Sequence, residues 1–206
     1  MGVLPDFTRT GVCSYDQYGK ASHQKSNLFL RVAKGHFATS HSHINYYIDV
    51  TTQKSRLSEA KAVAKELVAA YQHSTIVDTV LCLDGTQVIG TCLANELTKD
   101  GFANMNAHQT IYVITPEYTT GSQIILRDNL APMVKGKHVL ILSASITTGY
   151  TVQAAVEAVN YYGGTVAGLS AIFATTHDAW AMRSPPSLTP PACRTTPALT
   201  AATAPC

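Results

Sequence analysis

Ser145, Thr147, Thr148 and Gly149 bring three hydroxyls, one glycine and several backbone N–H groups into five residues. They follow an apolar run, Val139-Leu140-Ile141-Leu142, and precede a stretch where Val152, Ala155, Val156 and Val159 recur at helical spacing. A helix start projects partial positive charge and unpaired N–H groups, so this loop reads as an anion site suited to a phosphate. The same threonines could serve only as an N-cap for the helix's first orphan donors, and composition leaves both readings open. Asp84-Gly85-Thr86 forms a second such loop, after an apolar run over 76–83 and before a helical pattern over Gln87–Leu97. Its glycine and threonine are also what a plain strand-to-helix turn contains. His41 and His43 are two apart, which on a strand puts both on one face. Such a pair can ligate a metal, but no third ligand at matching spacing lies nearby, and loop histidines are the simpler reading.

These loops need strands to hold them. Residues 138–174 spell strand, loop (143–149), helix and strand, with Gly163-Gly164 ending the helix where a left-handed C-cap is wanted. That is a βαβ unit, expected to be right-handed with parallel strands. Residues 57–71 predict an amphipathic helix, with Leu57, Ala60, Ala64, Leu67, Val68 and Tyr71 on the buried side. Residues 110–114 predict a strand, and 115–129 a β-hairpin turning at Thr120-Gly121. Further upstream, 36–50 reads as strand, polar turn and strand, while 27–33 could open a short helix. Strand–helix alternation predicts an α/β fold with a mainly parallel central sheet flanked by helices. Ligands of such sheets bind outside the C-terminal strand ends, where loops 84–86 and 143–149 would meet.

The expected organisation is an N-terminal arm over 1–35, an α/β domain over 36–180 and a tail over 181–206. Residues 182–206 hold six of the nine prolines and neither an acid nor an aromatic residue, so they cannot build a core. Such a tail predicts no ordered structure. Its abrupt composition is also what an out-of-frame reading of a GC-rich coding strand would give.

A net charge of +2, without a basic run, gives no reason to expect nucleic-acid binding. No apolar stretch approaches the length of a membrane span, and the N-terminus lacks a basic and apolar leader. The five cysteines are widely spaced with no C-x-x-C pair, which predicts free thiols in a reducing compartment. The expected location is cytoplasmic.

The stretch Leu142-Ser143-Ala144-Ser145-Ile146-Thr147-Thr148-Gly149 resembles the phosphoribosyl pyrophosphate (PRPP) loop of type I phosphoribosyltransferases. That motif is a buried strand, two acidic residues and a Thr-Thr-Gly phosphate cradle. Tyr46-Tyr47-Ile48-Asp49 resembles the end of the substrate-side hairpin in the orotate enzymes, with His43 where they carry a basic residue. The resemblance spans residues 28 to 174. It implies a phosphoribosyltransferase-like fold with a small N-terminal hairpin and a hood, and the conversion of orotate and PRPP to orotidine 5′-monophosphate and pyrophosphate with Mg²⁺. Ser145, Thr147, Thr148 and Gly149 would hold the 5′-phosphate, and Asp84, Gly85 and Thr86 the pyrophosphate. His43, Tyr46 and Tyr47 would lie on the substrate side. Ser143 and Ala144 stand at the two ribose-binding positions, where the family has carboxylates.

The hood over 115–129 is a second departure: it carries only Arg127, against Glu117 and Asp128. Leaving pyrophosphate develops negative charge that Lys, Arg or Mg²⁺ normally stabilises. The resemblance therefore implies either an orotate phosphoribosyltransferase of very low rate or a protein that binds PRPP or a nucleoside 5′-monophosphate without turnover. Homodimers are common in that family, although no residue here demonstrates one.

Overall fold

The computed structural model describes residues 19–22, 29–38, 43–101, 104–107, 109–120, 123–174 and 195–200. The chain divides into two compact units, 1–52 and 53–206.

The first unit is a three-stranded antiparallel sheet in the order β1 (Gly19–Ser22), β2 (Phe29–Ala38), β3 (His43–Asp49). The strand–turn–strand expectation for 36–50 holds, with the turn itself, and His41, outside the described residues. The short helix expected at 27–33 does not form, because β2 begins at Phe29 and is the middle strand, paired on both sides. Ladder hydrogen bonds along both edges outweigh a weak local helix preference. Between the pairs Lys34–Tyr46 and Phe37–Ile44, two residues of β2 oppose one of β3, which makes a β-bulge. The expected border at 35/36 cuts through β2. The structure places the division after the hairpin, since β2 pairs only within its own sheet.

A short helix, α1 (Thr51–Ser55), follows after the Asp49 carboxylate accepts the Thr51 N–H at 2.9 Å. The second unit is built on a parallel sheet in the order β10 (Thr195–Thr200), β9 (Thr165–Ala174), β8 (His138–Ile146), β4 (Thr79–Cys82), β5 (Tyr112–Ile114). Residues of β4 alternate between two faces. Val80 and Cys82 face α3 (Gln87–Leu97), while Leu81 and Leu83 share a core with Val152, Ala155, Val156 and Val159 of α4 (Tyr150–Tyr161). That period of two, buried at every position and apolar from Val80 to Leu83, is what a strand covered on both faces requires. The amphipathic helix expected at 57–71 is α2 (Leu57–Val68), which packs beside α3. Tyr71, just beyond it, reaches β9, its hydroxyl bonding to the Leu169 carbonyl at 3.0 Å and Ser170 Oγ at 2.7 Å.

Helix α3 comes unusually near the sheet. A Cβ on Gly90 would stand 2.3 Å from Cys82 Sγ, so only glycine permits this approach. At the end of α4, Gly163 (φ +77°) donates to the Asn160 carbonyl at 3.0 Å and Gly164 to the Val159 carbonyl at 2.9 Å. These two bonds form the Schellman stop anticipated at Gly163-Gly164. The hairpin expected over 115–129 is β6 (Glu117–Tyr118) and β7 (Ile124–Ile125), with Ile124 and Leu126 in the same core as α4.

Two expectations change. Strand β8 runs nine residues, because its neighbour β9 continues to Ala174 and pairs Ser143 with Ala171 and Ser145 with Phe173. The loop shrinks to Thr147–Gly149. In the tail, expected to lack order, residues 195–200 form β10, parallel to β9. Pairing with an open sheet edge is a non-local gain that composition does not carry, and Pro197 is tolerable on an edge strand.

Candidate functional site

Strands β4 and β8 are parallel neighbours, so the loops leaving their C-terminal ends lie side by side. The Leu83 N–H donates to the Leu142 carbonyl at 2.8 Å, extending the pairing to the first residue of the loop. The chain then turns through two left-handed residues, Asp84 (φ +53°) and Gly85 (φ +78°). Among the described residues Asp84 is the non-glycine residue with positive φ. Asparagine and aspartate tolerate this region better than other side chains, at a small cost.

Several contacts hold Asp84 there. Ser143 Oγ donates to its Oδ2 at 2.8 Å, and Lys54 Nζ donates to its carbonyl at 2.9 Å. Tyr118 of β6 also reaches this residue. Burial raises the Tyr118 phenol pKa, the Asp84 charge raises it further, and a hydrogen bond with the Asp84 backbone partly opposes both.

Thr86, expected to help cradle pyrophosphate, faces the other way. It is fully buried, its hydroxyl bonding to the carbonyls of Leu83 at 2.8 Å and Leu142 at 3.1 Å. Its N–H donates to Leu83 as well, at 3.1 Å. Both donors are engaged within the protein, so Thr86 fastens the loop to β8. The anion-facing groups left near this loop are the N–H of Gly85 and those of the first turn of α3, which precede the first helical bond, Gly90 N–H to the Thr86 carbonyl.

The second loop differs in one decisive respect. Gly149, left-handed at φ +79°, itself occupies the N-cap position of α4, so the N-cap residue has no side chain with which to cap. Glycine suits the position because a Cβ would strain this backbone. The first helical bond is Gln153 N–H to the Gly149 carbonyl at 2.9 Å, so the N–H groups of Thr151 and Val152 have no acceptor within the helix. Ser145, Thr147 and Thr148, just before the helix, are exposed. Neither Thr147 nor Thr148 is itself the N-cap residue.

Ser143 and Ala144, at the ribose-binding positions, are both buried; the single Ser143 O–H that meets Asp84 is also within 3.1 Å of the Ser145 carbonyl, and Ala144 has no polar side-chain atom. His43, Tyr46 and Tyr47 belong to β3 in the first unit. The side chains of His43 and Tyr46 lie outside the described residues, while the Tyr47 ring is exposed and tilted 40° against Phe37 at 5.5 Å. In the hairpin, Arg127 Nε donates to Glu117 Oε1 at 2.5 Å, so the hood's one arginine is engaged by its own acid. The positions of Lys54 and Tyr118 at the loop were missed by sequence reasoning. Neither sits in a motif, and only the tertiary fold brings them there.

Among the described residues no group of three or more His, Cys, Asp or Glu side chains could hold a metal. At the two loops the carboxylate is Asp84 alone, already accepting a hydrogen bond. Mg²⁺ is commonly held by one or two carboxylates together with a ligand's phosphate oxygens, and Asp84 is the single carboxylate these loops would offer it. Cys82 and Cys92 are buried free thiols; burial pushes Cys82 up to about 12 and raises Cys92 as well, so neither is a ready nucleophile.

No family model matches the sequence, and no curated protein matches it. Solved structures do. The UMP synthase of Leishmania donovani superposes with a TM-score of 0.58 at 19% identity over 82% of this chain, which spans 33% of that protein. Orotate phosphoribosyltransferase from Aeropyrum pernix gives 0.55 at 17% identity, covering 82% of this chain and 88% of that one. The Mycobacterium tuberculosis H37Rv enzyme, in complex with inorganic phosphate, gives 0.53 at 18% identity over 82% and 88%. With its parallel sheet, flanking helices and paired strand-end loops, this chain has the fold of the type I phosphoribosyltransferases.

Proposed function

We propose that this protein binds the 5′-phosphate of a ribosyl ligand, PRPP or a nucleoside 5′-monophosphate, at residues 145–149. The observation that carries this reading is the start of α4: a left-handed glycine at the N-cap, preceded by three exposed hydroxyl residues, Ser145, Thr147 and Thr148. A phosphate there would take the donors that a capping side chain otherwise takes. The fold likeness supports it, since related folds include orotate phosphoribosyltransferases, one of them in complex with inorganic phosphate.

Transfer to orotate is proposed to be slow or absent. Forming pyrophosphate from PRPP builds negative charge on the leaving group, and preorganised cations lower that barrier. Here Arg127 is paired with Glu117, and neither Ser143 nor Ala144 supplies a carboxylate. Any Mg²⁺ would have to enter with the ligand's own phosphates. Calorimetric titration with PRPP plus Mg²⁺, and separately with orotidine 5′-monophosphate, tests the binding half. Saturable binding of either ligand is expected, and binding of neither would overturn it. An orotate turnover assay at an ordinary enzymatic rate, on the order of 10 per second, would overturn the other half.

A further inference from the structure

The carboxylate missing from strand β8 is present a few ångströms away, in the loop that follows β4. We infer that Asp84 is the group that accepts hydrogen bonds from the ribose hydroxyls of a bound sugar phosphate, in place of the side chains at 143 and 144. This rests on the reading of residues 145–149 as a 5′-phosphate site.

A surface aspartate in a plain turn would extend into water. The Asp84 side chain instead bends to a hydroxyl that is itself 0% exposed, Ser143 Oγ, at 2.8 Å. Its backbone is fixed independently, by the left-handed φ of +53° and by Lys54 on its carbonyl. One oxygen, Oδ2, is thus anchored, and among the described residues nothing hydrogen-bonds the other. The residue as a whole is exposed, so that oxygen is open to a ligand. Its anchor, Ser143, lies two residues before Ser145 and four before Thr147 in the chain.

Residue 143 must be small and neutral for this arrangement. A carboxylate in its place would meet the Asp84 carboxylate at hydrogen-bond distance, and two like charges that close cannot both remain ionised. Serine does the opposite: it donates, and so orients the acid. A neutral residue at 143 and an acid at 84 thus suit one another. A carboxylate acceptor makes a stronger bond to a sugar hydroxyl than a neutral side chain does, which is the chemistry a vicinal diol selects.

The test measures affinity of the full-length chain for inorganic phosphate, ribose 5-phosphate and 2-deoxyribose 5-phosphate. The unaltered protein should prefer ribose 5-phosphate over its 2-deoxy analogue by about tenfold. In Asp84→Asn, which keeps a residue suited to positive φ, that preference should fall to near unity. Phosphate affinity should hold or rise, since a negative charge has gone. Asp84→Gly, which suits the backbone still better, should behave the same way, so loss of folding does not confound the result. Phosphate binding with no preference for the 2-hydroxyl, or a preference that survives both substitutions, overturns the role of Asp84 alone. Failure of the unaltered protein to bind any of the three ligands overturns the phosphate site and this inference with it.

Discussion

Thr86 turns both of its donors into the protein, and a threonine so placed is a fastener between two strands. Its hydroxyl bridges carbonyls that belong to different strand ends, Leu83 and Leu142. Thr86→Val keeps the shape and removes the hydroxyl donor, while the Leu83 carbonyl keeps the N–H of residue 86 and the Leu142 carbonyl keeps the Leu83 N–H. A loss of about 1 kcal/mol in urea unfolding is expected. If the loop geometry depends on this fastening, the same variant should also weaken phosphate-ester binding several-fold in calorimetry. From the sequence alone, the hydroxyl of Thr86 and those of Thr147 and Thr148 looked equivalent, each in a loop between strand and helix. Burial separates them, because Thr86 lies under its loop and the other two stand exposed at theirs. Lys54 left no trace in any motif; its value comes from a contact thirty residues away in the chain.

At the scale of elements, the two site helices are held by opposite uses of glycine. Gly149 begins α4 in a left-handed conformation, so Gly149→Ala should cost about 1–2 kcal/mol in thermal or urea unfolding. Any shift of the first-turn N–H groups would appear as weaker binding of ribose 5-phosphate. Gly90 is different: it lies inside α3 and lets that helix press onto β4. Gly90→Ala drives a Cβ toward Cys82 Sγ, and overpacking of this kind costs about 1–3 kcal/mol. Adding Cys82→Ala should restore most of that loss, a positive coupling that a double-mutant cycle would measure. Helices α3 and α4 were legible because their apolar positions repeat with helical spacing, and Gly163-Gly164 marked the end of α4. The first part of β2 and strand β10 were not. Each exists through pairing with a partner strand, and neither a window of seven residues around 30 nor the composition of the tail contains that partner.

For the molecule as a whole, acid stability should depend on Asp78, at the opposite end of the sheet from the site loops. Its carboxylate accepts the His138 N–H at 2.8 Å and meets the His138 ring at 2.9 Å. Burial alone would raise the Asp78 pKa, but the hydrogen bonds from His138, with the charges of His138 and Lys137, overcome it and hold the group below its ordinary value. A depressed pKa contributes stability that is present above the unfolded value, about pH 4, and is lost as pH falls through the folded one. Thermal melts from about pH 6 to pH 2 should therefore show a steeper acid limb for the natural protein than for Asp78→Asn. An identical acid limb in the two proteins would refute the contribution.

The close seat of α3 on β4 has a practical corollary. Cys82 lies at that seam, 1% exposed, with its thiol held protonated well beyond neutral pH. An alkylating reagent can reach it only when α3 lifts away from β4, and then the thiol reverts to ordinary reactivity. Its modification rate, followed peptide by peptide in a mass spectrometer, is thus a clock for opening of the parallel sheet. The protein carries its own label for the event that a ligand at the neighbouring loops would suppress, so ligand affinity can be read as a slower clock, with no dye and no turnover required.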